Sequence, residues 1–351
     1  MLGVTALGLA AGYVGGLSGQ QYINYIQQFV PSQAQIQKPR GSQALGLFDL
    51  IAHTSPSLVA LYRVEVTDKA NSLYPLPTKQ SYMGDAVAVS ADGWMVVPSA
   101  LLVPTVEKKD TKVQYKYIAI YKQKVYPIGQ TINDPASGVS FIKLDGVSLR
   151  PASFAWEQSM TGLVSSYSVS SDTNVSTVYI GQPHYASAAT ADNYILHTNT
   201  LSKRLNPDMS FSVVGQAIVM DNGDIIGIAD RSGIIPADHF RGSLEQVLVN
   251  NSVKRISTNI SYYDNAWMPY TQVSKPSLDI TGATIVDPGP AVISAASFGL
   301  KKGDVIIDVN NENIDINRSF SDILSQYKPG STVDLGVQRD NKMLDIPLIL
   351  K

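Results

Sequence analysis

The chain has 351 residues, of which 44% are hydrophobic and 16% charged, a length at which two domains are expected. Its 27 basic and 29 acidic residues give a formal charge of −2 without a basic field, which argues against nucleic acid as the main partner. The absence of cysteine excludes disulfide frameworks, zinc ribbons and thiol catalysis. No metal-ligand cluster or Gly-rich phosphate loop is visible, so no cofactor and no metal site are predicted.

Residues 1–26 carry no charged side chain and predict a transmembrane anchor. Leu2–Gly19 is apolar and approaches the length of a bilayer span once its flanking turns are added. Gly8, Gly12 and Gly16 recur every four residues, a spacing that lets two membrane helices approach closely. A cleaved signal peptide and a soluble Gly/Ala-rich helix are the alternative interpretations. Residues 27–44 lack a sustained period and predict a linker.

Residues 45–250 alternate short apolar runs with turn residues, and this pattern predicts a mainly β domain. Asp92-Gly93 and Asn222-Gly223 separate apolar runs in the manner of hairpin turns. Regular short strands of this kind indicate a sandwich or a pair of barrels. A helix is predicted over 237–250, where apolar residues recur at helical spacing. The predicted strands are 57–66, 86–90, 94–98, 116–121, 139–144, 162–169 and 225–229.

Three segments of this region carry a specific pattern: GDAVAVSADGWMVVPSALL (84–102), NDPASGVSFIKL (133–144) and NPDMSFSVVGQAIVMDNGDIIGI (206–228). Together, in this order, they resemble the HtrA family of trypsin-like serine proteases. In the family, these segments carry the catalytic histidine, the catalytic aspartate and the nucleophile, in this order. The resemblance therefore implies a trypsin-like double β-barrel over 45–250.

The same resemblance places the catalytic groups on residues that lack the required chemistry. The histidine falls on Ala100 and the aspartate on Gly138, so neither a base nor a carboxylate to orient it is present. The nucleophile falls on Ser210 when counted from the start of the third segment, and near Val213 when counted back from its hairpin. We therefore predict a protease scaffold without catalysis, a pseudoprotease.

A serine endopeptidase with a rearranged site using Ser210 is the alternative function. His197 and Lys203 are the candidate bases closest to Ser210 in the sequence, but Lys203-Arg204 is predicted to be a solvated loop pair. Each histidine is predicted to lie at the surface or at the end of a strand. The histidines are His53, His184, His197 and His239.

Residues 254–351 contain a motif made of Pro290-Ala291, Phe298-Gly299-Leu300 and Lys302–Ile306. With this motif, the region resembles a PDZ domain of the bacterial protease type. Strands are predicted over 282–286, 332–339 and 343–350, and a helix over 319–327. Residues 261–281 are predicted to form a long loop rich in aromatic residues.

PDZ domains bind an extended peptide by adding it as a strand to an open sheet edge. The resemblance implies that backbone N–H groups of a loop hold the terminal carboxylate and that a helix forms the side-chain pocket. Asn259 replaces a glycine of the family in this loop, although asparagine tolerates positive φ. In the alternative interpretation, Phe320 and Leu324 are simply helix core. The predicted peptide-binding residues are Ser257, Thr258, Asn259 and Ile260 in the loop, and Ile260, Phe320, Ile323 and Leu324 in the pocket.

The combined prediction is a membrane-anchored HtrA-like pseudoprotease that binds peptide or unfolded-protein termini through its PDZ domain. The family resemblance implies globular domains outside the cytoplasm, a homo-oligomer, specifically a trimer, and a role in envelope protein quality control. A structural scaffold or a regulatory subunit of an active HtrA-type oligomer is the second alternative.

Overall fold

The structure is a computed structural model that describes residues 45–66, 77–102, 114–156, 164–172, 174–185, 195–211, 213–267, 281–288, 299–316 and 318–351. The predicted anchor (1–26) and linker (27–44) lie outside these residues. A search of the described ranges finds no helix with both the length and the apolar character needed to cross a bilayer.

The first half of the described chain forms a closed six-stranded barrel, in the order β1-β2-β3-β6-β5-β4. A helix, α1 (Leu47–Thr54), precedes it. Strands β3 and β6 have the predicted bounds because both are almost fully buried and end at turns. Strand β5 was not predicted, because its mostly exposed residues show no apolar alternation. The strands are β1 (Leu58–Val66), β2 (Tyr82–Ala88), β3 (Trp94–Pro98), β4 (Gln114–Tyr121), β5 (Lys124–Asp134) and β6 (Val139–Leu144).

The following strands form a second barrel, with one exception. In chain order they are β7 (Val164–Val169), β8 (Val175–Tyr185), β9 (Ile195–His197), β10 (Lys203–Pro207), β11 (Ala217–Val219), β12 (Ile225–Asp230) and β13 (Gly233–Pro236). All except β9 close into a barrel in the order β10-β13-β12-β11-β7-β8. The helix predicted after this barrel is α2 (Asp238–Asn250), and Asn251 ends it in the left-handed conformation.

The C-terminal residues form a sheet in the order β19-β18-β16-β15-β14-β9, and β17 pairs with β16. A short helix, α3 (Phe320–Leu324), covers part of this sheet. The prediction of a loop from 261 to 281 is wrong for residues 261–264, which form β14 because Tyr262 and Asp264 are buried against β15. The strands are β14 (Ser261–Asp264), β15 (Ala283–Asp287), β16 (Val305–Val309), β17 (Glu312–Asn313), β18 (Thr332–Arg339) and β19 (Lys342–Ile349).

A buried carboxylate, Asp134, joins the first barrel to the segment that leads into the C-terminal sheet. It accepts hydrogen bonds from Ser137 Oγ (2.7 Å) and Ser243 Oγ (2.6 Å). Arg255 donates to it through Nε (3.2 Å) and Nη2 (2.6 Å), and the same Nη2 donates to the carbonyl oxygen of His239. Asp134 has no exposed surface, so these contacts fix β5, α2 and residue 255 relative to one another.

Candidate functional site

The two positions of the missing catalytic pair lie next to each other. Ala100 is exposed in a single turn of 3-10 helix, and the preceding residue, Ser99, donates its backbone N–H to the carbonyl of Gly138 (2.9 Å). The Ser99 and Ser140 hydroxyls are 2.9 Å apart, and Ser140 Oγ donates to Asn133 Oδ1. These hydroxyl and amide groups are neutral and supply neither a general base nor a carboxylate to orient one.

Gly138 cannot carry a carboxylate without local rearrangement. Its φ of +79° lies in the left-handed region, and a Cβ atom built there would be 2.9 Å from Arg204 Nη2. The guanidinium of Arg204 is buried and donates through Nη1 to the carbonyls of Leu201 (2.8 Å) and Lys203 (2.9 Å). Burial lowers the pKa of Arg204, with the charge of Asp230 opposing that shift.

Both candidate positions for the nucleophile lack a catalytic environment. Ser210 is exposed, and no described side chain hydrogen-bonds to its hydroxyl. Its loop is fixed by Asp208, which exchanges two hydrogen bonds of 2.9 Å with the backbone of Tyr179. The alternative segment, 213–215, reads Val-Val-Gly and contains no hydroxyl group.

The candidate bases contact the C-terminal domain instead. His197 Nδ1 lies 3.0 Å from Ser261 Oγ, and Lys203 Nζ lies 3.3 Å from Asp322 Oδ2. The prediction of a solvated Lys203-Arg204 loop is wrong, because both residues are buried in β10. The prediction of a surface position is also wrong for His239, which is only 4% exposed in α2.

The residues predicted to bind a peptide come together between β14 and α3. Ile260, Phe320, Ile323 and Leu324 share one apolar cluster and have no exposed surface, so the pocket residues are also helix core, as the alternative interpretation required. The ring of Tyr262 packs edge-on against that of Phe320, with centroids 5.5 Å apart. Their role in peptide binding stays a prediction.

The strand β9 occupies the edge of β14 beside this cluster. The two strands are antiparallel, with Ile195 opposite Tyr263, Leu196 opposite Tyr262 and His197 opposite Ser261. The side chain of Leu196 is buried in the same apolar cluster.

Helix α3 lies on the other side of β9, so that β14 and α3 form the two walls of a groove. Ser321 Oγ, on α3, donates to the carbonyl of His197 at 3.4 Å. The hydroxyl of Ser321 also lies 2.6 Å from that of Tyr262 on β14. The groove therefore holds an extended segment of its own chain between a strand and a helix.

The loop predicted to hold a terminal carboxylate is also engaged with this segment. The N–H of Ile260 donates to Thr198 Oγ1 (3.1 Å), and the N–H of Asn259 donates to Asn199 Oδ1 (3.3 Å). Thr198 Oγ1 lies 2.6 Å from Thr258 Oγ1, and the N–H of Thr198 donates to the carbonyl of Ile260 (3.0 Å). Asn259 has φ of +53°, the conformation that its substitution for glycine was expected to tolerate.

A buried charge cluster holds α3 in place. Ser319 and Asp322 form a capping box at its N-terminus. Asp322 also contacts Lys203 and His239, whose Nε2 lies 3.1 Å from Oδ1. Burial would raise the pKa of Asp322, but the charge of Lys203 and the contact with His239 hold it well below its usual range. Burial lowers the pKa of His239, and its hydrogen bond to Asp322 opposes that shift.

The groove adjoins the degenerate catalytic positions. A cavity of about 720 Å³ lies between Gly138 and Arg204 on one side and β9 on the other, and Asp287 of β15 also lines it. Beyond β9, the N–H of Leu201 donates to the carbonyl of Ala136 at 2.7 Å. The chain just beyond the segment that fills the groove is therefore hydrogen-bonded to the loop that carries Gly138.

Comparisons with known proteins agree with this architecture. A PDZ domain family model matches residues 270–350. A probable periplasmic serine endoprotease, DegP-like, from Bartonella henselae is 33% identical over 150 residues, which is 41% of this chain and 27% of the relative. Its counterpart from Brucella suis is 31% identical over 147 residues, which is 40% of this chain and 26% of the relative. The chain thus spans about a quarter of the length of these curated relatives.

Solved structures show the same fold. The HtrA-type protease AlgW with a decapeptide aligns with a TM-score of 0.53 at 15% identity, over 88% of this chain and 99% of that chain. AlgW with a tripeptide aligns with a TM-score of 0.54 at 15% identity, over 87% of this chain and 97% of that chain.

The fold is thus mainly β: a trypsin-like double barrel followed by a PDZ domain. The predicted resemblance to the HtrA/DegS-like family of serine proteases with a C-terminal PDZ domain is confirmed.

Sequence reasoning missed the residues that fill the groove. Leu196, Thr198 and Asn199 belong to a short segment whose partners lie about sixty positions later in the chain. A strand of three residues gives no usable periodicity, and its pairing is non-local. The alternation of buried Leu196 and Thr198 around exposed His197 is the one local signal.

Proposed function

We propose that the chain is a non-catalytic HtrA-like protein that recognises the C-termini of peptides and unfolded proteins through its PDZ groove. The observation that carries this proposal is the set of contacts made in the groove between β14 and α3. The edge of β14 pairs with an extended strand, and the N–H groups of Asn259 and Ile260 donate to oxygen atoms. Strand addition with capture of a terminal oxyanion uses the same two elements.

The absence of catalysis follows from the chemistry of the triad positions. Ala100 and Gly138 supply neither a base nor an orienting carboxylate, and a buried guanidinium faces position 138. Loss of either group costs several orders of magnitude in the rate of a serine protease. The candidate bases near Ser210 in the sequence contact Ser261 and Asp322 instead.

Hydrolysis of casein tests this part of the proposal. The chain and its Ser210→Ala variant are purified in parallel, and trypsin serves as the positive control. We expect equal background cleavage by both preparations. Cleavage by the chain that Ser210→Ala abolishes would instead establish the rearranged endopeptidase.

An array of peptides with free C-termini tests recognition. The matched control is the same array with amidated C-termini, because an amide removes the charge that the loop N–H groups would bind. We expect binding to a subset of the free termini and weaker binding to the amidated forms. The second candidate function is a scaffold in which β9 stays in the groove permanently, and the absence of binding to both arrays would support it.

We also propose that the two globular domains lie outside the cytoplasm, held by an anchor at 1–26, and that the chain is a trimer acting in envelope protein quality control. The support is the periplasmic naming of the DegP-like relatives and the resemblance to the HtrA family. Protease accessibility of intact cells and spheroplasts tests the topology, and light scattering tests the oligomer. Protection in spheroplasts, or a monomeric mass, would contradict the respective part.

A further inference from the structure

We propose that the segment Ile195–Asn199 is a resident ligand of the PDZ groove, so that an external peptide binds only after this segment leaves. This inference rests on the proposed recognition of peptides and concerns its regulation. The resident segment also indicates the class of external ligand: a free C-terminus with a small last residue and an apolar residue two positions before it.

The sheet edge at β14 is already occupied. β14 pairs with β15 on one side and with β9 on the other, so both of its edges are used. A strand edge presents a single row of N–H and C=O groups and accepts one partner strand. An external peptide therefore has to take the place of β9 rather than add beside it.

The side chains of the resident segment fit the groove. Leu196 and Thr198 are buried, and His197 between them is exposed, as expected for an extended segment with one face in a groove. Leu196 packs in the cluster that contains Phe320 and Leu324. A ligand with an apolar residue in the place of Leu196 and a small residue in the place of Thr198 would reproduce these contacts.

The loop 257–260, which is predicted to hold a terminal carboxylate, already binds the resident segment. The N–H groups of Ile260 and Asn259 donate to side-chain oxygens of Thr198 and Asn199. These oxygens occupy the positions that the terminal carboxylate of a ligand would take. Because a charged acceptor forms stronger hydrogen bonds than a hydroxyl or an amide, a free C-terminus has a means to displace the resident segment.

The strand β9 belongs to neither barrel. Barrel two closes through β8 and β10 without it, and β14 is the strand with which β9 pairs among the described residues. Its departure therefore breaks no barrel hydrogen bond. A tethered ligand of this kind acts at an effective concentration of about millimolar, which suppresses binding of a weaker or scarcer competitor.

A reversible covalent lock tests the proposal in the full chain. His197 and Ser261 are directly opposed, and such Cα atoms lie about 4.5–5.5 Å apart, within the range of a disulfide. The natural chain has no cysteine, so His197→Cys with Ser261→Cys forms the one possible intrachain disulfide. The probe is a fluorescent pentapeptide, Tyr-Ile-Leu-His-Thr, with a free carboxylate, followed by anisotropy. We expect binding by the reduced form and at least about a tenfold loss of affinity on oxidation.

A second variant opens the groove without a disulfide. Leu196→Asp places a carboxylate in the apolar cluster and should expel the segment. His197→Asp adds the same charge at the exposed position of the same strand and is the matched control. We expect Leu196→Asp to bind the probe about tenfold more tightly than the natural chain. This factor corresponds to a natural chain in which the groove is open in about a tenth of the molecules. Circular dichroism verifies that both variants are folded.

The outcomes separate the two proposals. Equal affinity of the oxidised, reduced and Leu196→Asp forms would overturn the resident ligand and leave peptide recognition standing. Binding by no form, including Leu196→Asp, would overturn both, and β9 would then be a permanent structural strand. Binding by the reduced and Leu196→Asp forms with loss on oxidation would establish both.

Discussion

The contacts of Asp134 join the first barrel to the segment that leads into the C-terminal sheet. Removal of the guanidinium of Arg255 is the most severe test of these contacts. Arg255→Met retains most of the apolar stem but deletes both hydrogen bonds to a carboxylate that has no exposed surface. Burial alone would raise the pKa of Asp134, and Arg255 is the main group that lowers it below its usual value. The variant leaves Ser137 and Ser243 as the remaining donors to the carboxylate.

The expected loss is about 3–5 kcal/mol in the free energy of unfolding, the usual cost of breaking a buried ion pair from one side. The two remaining serine donors place the value at the lower end of this range, since hydrogen bonds to a charged group contribute about 1.5–3 kcal/mol each. In the double variant Arg255→Met with Asp134→Asn, the buried charge is gone. We expect it to recover more than half of the loss.

Urea unfolding at pH 7, followed by circular dichroism, measures the effect in the first transition, since a chain with several domains need not unfold in one step. Arg241→Met is the matched control. Arg241 is a half-buried arginine that pairs with Glu245 at 3.8 Å and lies 5.6 Å from the ring centroid of Trp156, and its removal should cost about 1 kcal/mol or less. A loss below about 1 kcal/mol for Arg255→Met, or a double variant no better than the single one, would refute the reasoning.

Two further predictions concern Gly138 and His239. Gly138→Ala should destabilise the chain by about 1–2 kcal/mol in urea unfolding, more than Gly146→Ala, because both glycines have positive φ but only Gly138 faces a guanidinium; equal losses would show that Arg204 is irrelevant. Burial lowers the pKa of His239 below 6.5, so the unfolded chain binds this proton more readily and the free energy of unfolding falls as the pH decreases from about 7 to 5. His239→Gln should flatten this slope, and an unchanged slope in this variant would contradict the assignment.

The sequence predicted elements whose burial is uniform and whose ends are turns. Strands β3 and β6 are of this kind, and their bounds agree with the prediction. Helix α2 buries only one face, and its helical spacing of apolar residues predicted its bounds to within one residue. Strand β10 was missed because it begins with Lys203-Arg204, which locally indicates solvent. The partner that makes the burial of Lys203 favourable, Asp322, lies 119 positions away in the sequence.

The sequence indicated residues of the candidate site but not the segment that occupies the groove. A family resemblance indicated the loop 257–260 and the pocket residues, and these residues lie close together beside β9, while their role in peptide binding stays a prediction. The occupant, Ile195–Asn199, was not foreseen, because its pairing with β14 depends on how the second barrel directs the chain.

The position of β9 has a consequence for how this protein is divided into modules. The chain segment from 254 to 351 is contiguous in sequence, yet the sheet that it forms is completed by residues from before the preceding helix. A fragment cut at 254 would carry an uncovered strand edge at β14 and an unfilled apolar slot beside it. Such edges pair with whatever strand they meet, including another copy. An excised PDZ domain would therefore overstate the affinity of the intact protein for peptides, and its self-association would reflect the cut.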